Sequence, residues 1–308
     1  MAALRWRQNL EGLVKDSRLD AQGYLFEISG LLADVIADSV PESSSAYRSW
    51  LIQRCKRFVS AGRERAAVFR LVNGMLWAID DAPSVPDLRA RALWYLHGYG
   101  ERRAAVVEEL VAGGTRELSR YRTIMTYGRD PSLLASLSRA AEHKDAPAVM
   151  LGEGRPRLEG MTMASELAWA GVDVTLGVDM ALFGWLAEVE ALVVGAESLS
   201  SRGLVYKLGT AALATAAQAL EKPVYVMCAQ ADFMPVEYLA GADSGGGDRD
   251  DIAPDAHERI TVLNVIWDLT PLDQITAVIT GQGMLSGDAL SGALSAAQVY
   301  PGLVSRQG

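Results

Sequence analysis

Residues 194–210 read VGAESLSSRGLVYKLGT. The run starts on the last residue of an apolar strand and turns through Gly195-Ala196-Glu197. It then crosses a polar loop and reaches Lys207-Leu208-Gly209-Thr210 at the head of an alanine-rich helix. In α/β proteins, ligands collect at the carboxyl ends of the strands. A helix N-terminus adds free N–H groups and a favourable dipole for phosphate. A strand-end carboxylate followed by a lysine and a Gly-Thr helix start therefore points to a phosphorylated small molecule. Lys207 and Thr210 are candidate ligand contacts, and Glu197 is a candidate acid or base.

The flanking sequence has the texture this reading needs. Thr123–Tyr127 is a short buried strand, followed by Gly128-Arg129-Asp130 and a helix from Pro131 to about Glu142, where proline suits the first turn. Pro147–Leu151 and Val172–Val178 read as strands with a helix over Thr162–Ala170 between them, and Ala191–Val194, Val224–Met227 and Thr276–Ile279 continue the series. Short apolar strands alternating with helices of about ten residues indicate βαβ units in a parallel sheet. The first third is helical in pattern. Leu31, Leu32, Val35 and Ile36 share one face, Trp50, Leu51, Cys55, Phe58 and Val59 a second, and the segment 66–79 a third, ended by Asp80-Asp81, Pro83 and Pro86. A long helix is expected from about Asp87 to Ala112, with Gly113-Gly114 as its stop. The fold class is α/β, with an N-terminal helical domain over residues 1–118 and a Rossmann-like parallel-sheet domain over 119–308 that carries the ligand crevice. Residues 241–258, with three consecutive glycines and five aspartates, read as a flexible, solvated acidic insertion.

Composition narrows the function. The 308 residues are half apolar, ample for a sizeable core. A net charge of −9 argues against a nucleic-acid surface but leaves room for a local basic pocket. Cys55 and Cys228 lie far apart and form no metal pattern, which suits a reduced, cytoplasmic protein. The most apolar region, Ala168–Val194, is broken by Asp173, Asp179, Glu188 and Glu190, so no membrane span is expected. His97, His143 and His257 have no partner spacing for a metal or a triad, and neither a dinucleotide fingerprint nor a P-loop occurs, so no metal and no cofactor are expected.

Several short runs occur in a telling order. They are Glu153-Gly154-Arg155-Pro156 with Gly160, Ala170-Gly171-Val172-Asp173-Val174-Thr175, Gly195-Ala196-Glu197, Lys207-Leu208-Gly209-Thr210, Lys222-Pro223-Val224-Tyr225-Val226 and Asp268-Leu269-Thr270-Pro271. With Ile275, Thr280 and Gly283 they resemble the initiation factor 2B-like superfamily over about residues 120–290. In the helical part, Arg65 with Leu71 and Asn73 resembles that family's Arg-Pro-Thr segment more weakly, with Ala66-Ala67 in place of Pro-Thr. The superfamily joins regulatory subunits of the eukaryotic exchange factor to isomerases of methylthioribose 1-phosphate and ribose 1,5-bisphosphate. The resemblance implies a homodimer or larger homo-oligomer. It also implies a cysteine after the first strand and an aspartate in the Gly-Ala-Asp turn as the isomerase residues. Here Gly128 and Glu197 stand at those positions, Tyr206 replaces the asparagine before the lysine, and Glu159 replaces the glutamine before Gly160.

Glu197 keeps a carboxylate, displaced by one methylene, and a shift of about an ångström costs roughly a hundredfold in rate. Nothing replaces the thiol at Gly128, although a glycine gives backbone freedom and room for a larger ligand. Arg155 and Lys207 are the expected phosphate contacts. Asp179 either orients a ligand hydroxyl or caps the following helix. Arg129 either binds an anion or points outward, and Cys228 is either a relocated thiol at a strand end or a small buried hydrophobe. The expectation is a protein that binds a phosphorylated sugar or nucleotide at the strand ends as a divergent or non-catalytic homologue. The alternative is a divergent aldose–ketose isomerase of a ribose-phosphate-type substrate with Glu197 as acid/base.

Overall fold

The computed structural model describes residues 2–15, 21–38, 43–61, 65–236 and 247–303. The chain forms two compact units, Met1–Ala104 with Gln298–Gly308, and Ala105–Ala297. The first unit is helical: α1 (Ala2–Lys15), α2 (Ala21–Asp38), α3 (Ser44–Ser60), α4 (Arg65–Ala78) and α5 (Val85–His97). The periodic apolar positions become its core, with Tyr24, Ile28, Leu32, Leu51, Phe58 and Met75 fully buried. Tyr300 joins this unit. Its N–H donates to Asn73 Oδ1 at 2.7 Å, and its hydroxyl donates to Asp80 Oδ1 at 2.9 Å.

The expected helix from Asp87 to Ala112 is instead two helices. α5 ends at Gly98, and α6 (Tyr99–Leu118) runs straight through Gly113-Gly114. Those glycines are packing positions and not a stop. A Cβ at Gly113 would run into the Thr280 carbonyl, and one at Gly114 would lie 2.6 Å from the Met227 methyl.

The second unit holds a seven-stranded sheet in the order β10-β9-β7-β4-β1-β2-β3. Its members are β1 (Thr123–Thr126), β2 (Ala148–Gly152), β3 (Val174–Gly177), β4 (Ala191–Val194), β7 (Val224–Met227), β9 (Ala277–Thr280) and β10 (Gly283–Leu285). All pairs are parallel except β9 with β10. Alternate residues of one strand feed opposite faces, as a pleated strand buried on both sides requires. Ile124, Ala191 and Val193 pack with α6, α7 (Pro131–Glu142) and α8 (Glu159–Trp169). Met125, Leu192 and Val194 pack with α9 (Ala181–Trp185), α10 (Thr210–Ala219) and α11 (Gly287–Ser295). The arrangement is a doubly wound, Rossmann-like unit.

The polar loop expected after Glu197 is a hairpin. β5 (Ser198–Ser200) and β6 (Gly203–Lys207) pair antiparallel, and β6 pairs with β8 (Trp267–Thr270) in a separate three-stranded sheet. Of the expected insertion over 241–258, residues 241–246 lie outside the described residues. The described remainder is largely exposed and makes contacts with the rest of the unit: Asp251 pairs with Arg157 at 3.1 Å, and the Asn264 amide donates to the Asp248 carbonyl at 2.6 Å. Among the described residues no helix is long and apolar enough to cross a membrane.

Candidate functional site

Strand order reverses beside β1. The chain steps from β1 to β2 and β3 on one side, then crosses to β4, β7 and β9 on the other. Loops leaving the carboxyl ends at such a reversal diverge and open a crevice. A small cleft, open to solvent, lies there. Every residue of its wall belongs to the sheet unit. β1 leads to Tyr127 and Gly128, and the turn after β2 brings Arg155, Arg157 and Glu159. The end of β6 brings Lys207, and Val265 with Ile266 supplies an apolar side.

The cations of the wall are partly spoken for. Lys207 Nζ lies 2.5 Å from Glu159 Oε2, with the two side chains 18% and 30% exposed, and 4.6 Å from the centre of the Trp267 ring. Arg157 is held by Asp251. Arg155 is exposed, and among the described residues no carboxylate lies within ion-pair reach of its guanidinium. Beneath them the Tyr127 hydroxyl donates to the Leu208 carbonyl at 2.9 Å. Burial, and then the charges of Asp179, Asp268 and Glu159, push its pKa far up, so it stays a donor.

Gly128 has φ +73°, and a Cβ there would lie 2.8 Å from Lys207 Cγ and 3.5 Å from the Tyr206 hydroxyl. The backbone conformation therefore strains any side chain here, and a Cβ would push the Lys207 stem aside. Part of the room that a glycine opens beside Lys207 is taken by the stem of that side chain.

Residues 26–287 match the Initiation factor 2 subunit family, IF-2B. The chain belongs to that family. A ribose 1,5-bisphosphate isomerase of Archaeoglobus fulgidus is 33% identical over 168 residues, and the match spans 53% of this chain and 53% of that protein, about half its length. A protein of the same description from Haloterrigena turkmenica is 27% identical over 274 residues, covering 82% of this chain and 84% of that one. Among solved structures, the Pyrococcus horikoshii translation initiation factor eIF-2B superposes with a TM-score of 0.68 at 22% identity, over 92% of this chain and 98% of that one, and shares the fold.

Within this IF-2B family chain the singled-out residues fall into two groups. Gly128, Arg155 and Lys207 line the cleft, and Arg129, Asp179, Glu197, Thr210 and Cys228 are not among its lining residues. Asp179 works from behind the wall: its carboxylate accepts the N–H of Gly154 and of Arg155, each at 2.8 Å. The helix start at Gly209-Thr210 is already occupied. The Asp268 carboxylate accepts the Gly209 and Ala211 N–H groups at 2.8 and 3.3 Å, and the Thr210 hydroxyl donates to the Lys207 carbonyl at 2.6 Å. The anion attracted by that helix end is thus the protein's own. Arg129 makes a two-pronged pair with Glu166 at 2.7 and 2.8 Å, which raises its pKa through that hydrogen bond. Glu197 is half-buried after β4, with its N–H donating to the Val205 carbonyl at 3.1 Å. Cys228 is buried in the core, its thiol 3.6 Å from the Ala229 carbonyl. The side chain of Arg65 lies outside the described residues.

Two charged wall residues were not singled out as candidate contacts by the sequence. Arg157 lies two positions after Arg155 in a visible basic turn, but its partner Asp251 is 94 residues away. Glu159 stood out only as a replaced glutamine, and its pairing with Lys207 arises from the fold. Behind the wall sits Asp130, whose side chain caps α7 through the Leu133 N–H at 2.8 Å. Burial pushes its pKa up, the nearby Asp232 adds to this, and its backbone hydrogen bonds oppose it.

Proposed function

We propose that the cleft binds a phosphorylated sugar and that this IF-2B family member does so without the isomerase reaction its resemblance implies. The glycine at position 128 carries the reading. It offers no acid, base or nucleophile, and its φ strains any side chain placed there, while Arg155 and Lys207 keep cationic groups on the same wall. The names of the curated relatives support the ligand class. A divergent aldose–ketose isomerase with Glu197 as acid/base is the second reading, favoured by relatives described as ribose 1,5-bisphosphate isomerases at 27–33% identity. The full chain, titrated with ribose 5-phosphate, ribose 1,5-bisphosphate and methylthioribose 1-phosphate, separates the two. Thermal stabilisation by at least one of them, with no ketose signal in NMR above the enzyme-free rate, is expected. Ketose formation that Glu197→Gln removes would establish the second reading in its place.

We further propose a cytoplasmic homodimer. Trp169, Leu176, Val178, Met180 and Phe183 are exposed along the edge strand β3 and the segments flanking it. Covering such a side chain contributes about 1.5–3 kcal/mol, and an uncovered apolar edge invites association. Sedimentation should show a dimer for the wild type and a monomer for the double variant Val178→Asp, Met180→Asp. A wild-type monomer at micromolar concentration would dispose of the proposal.

A further inference from the structure

Two acceptor-rich ligand groups, a phosphate and a polyol, compete for the same wall, and the wall is not uniform. At one end Lys207 and Glu159 place a charged donor and a charged acceptor 2.5 Å apart, both more than two-thirds buried. At the other end Arg155 is exposed with no carboxylate within ion-pair reach among the described residues. A phosphate dianion has acceptors only. Docked on Lys207, it would face the Glu159 carboxylate with no proton to offer, and burial sharpens that repulsion. Two hydroxyls on neighbouring carbons have the opposite character. Their oxygens lie about one hydrogen-bond length apart, and one accepts from the ammonium while the other donates to the carboxylate. A guanidinium matches phosphate in two-pronged geometry, and Asp179 pins the backbone from which Arg155 projects.

Resting on the sugar-phosphate reading above, we infer that Glu159 is a specificity-determining residue. With Lys207 it reads a vicinal diol, while Arg155 takes the phosphate, so that the ligand is a sugar monophosphate with adjacent free hydroxyls. The orientation reverses the simplest expectation for Lys207, which puts it on the phosphate.

Calorimetric titration of the full chain with ribose 5-phosphate, 2-deoxyribose 5-phosphate and inorganic phosphate tests this. The wild type should bind the ribose compound at least tenfold more tightly than the deoxy compound. Glu159→Gln should bring ribose 5-phosphate down to the deoxy level; Lys207→Met should do the same and leave inorganic phosphate unchanged, since Arg155 holds it. Arg155→Ala should weaken all three. Equal wild-type affinities for the two sugars, or a loss of inorganic phosphate affinity by tenfold or more in Lys207→Met, overturns the diol assignment alone. Binding of none of the three overturns the sugar-phosphate reading, and the assignment falls with it.

Discussion

Gly160→Ala lowers the thermal midpoint of the chain by about 6–12 °C, the largest effect expected of a single methyl group in this protein. Gly160 lies in the first turn of α8, where the helix start rests on the end of β2. A Cβ there would penetrate the Gly152 carbonyl oxygen and come 3.0 Å from the carbonyl carbons of Gly152 and Glu153. These are backbone atoms of a strand end and a tight turn, with Gly154 at φ +77° and Leu158 left-handed at φ 57°, so no flexible side chain yields. Overpacking a rigid site costs about 1–3 kcal/mol, and the backbone contact puts this variant at about the upper figure. In a unit of this size each kcal/mol corresponds to about 2–4 °C. Calorimetry or circular-dichroism melting measures it directly. A midpoint within a degree of the wild type would mean that α8 shifts freely and that Glu159, its first residue, is not held in register with Lys207.

Asp179→Ala separates affinity from stability. The variant retains the fold, with a loss of about 2 kcal/mol, because hydrogen bonds to charged groups are worth about 1.5–3 kcal/mol and water replaces part of the loss at a half-buried carboxylate. It nevertheless weakens ribose 5-phosphate by tenfold or more. The reason is positional. The two oxygens of Asp179 hold the consecutive N–H groups of Gly154 and Arg155, and without them the turn that aims Arg155 is free to move. Asp179→Asn should fall between, since a carboxamide oxygen replaces only one of the two acceptors. Calorimetric affinities beside urea unfolding curves provide the check. Unchanged affinity in Asp179→Ala would show that Arg155 finds its ligand without a fixed backbone.

Most of the sheet was legible in the sequence because its strands are short, apolar and separated by helices with readable starts. Thr123–Tyr127, Ala191–Val194 and Val224–Met227 fall on β1, β4 and β7. The hairpin β5–β6 escaped because Ser198, Ser200, Ser201 and Arg202 mimic a loop, while its pairing with β8 spans more than fifty residues. Gly113-Gly114 misled for a related reason. A glycine that ends a helix and a glycine that lets a helix approach another backbone look alike until the partner, here Thr280, is in place. The site was legible by location and not by pairing. Arg155 and Lys207 were visible as cations at strand ends, whereas the engagement of Lys207 by Glu159, and of the α10 start by Asp268, depends on contacts that distance along the chain conceals.

The segment from Gly247 to Ile266 bears on how such a protein diversifies. It contains no strand and only a three-residue helical turn, yet it contributes Val265 and Ile266 to the cleft and Asp251 as the tether of Arg157. None of the seven strands of the main sheet runs through it. Drift in the exposed part of this segment therefore leaves the strands of the main sheet unchanged while it alters one side of the cleft. On the proposed reading, ligand preference here is modular, and exchanging one continuous stretch of chain is the economical route to a new one.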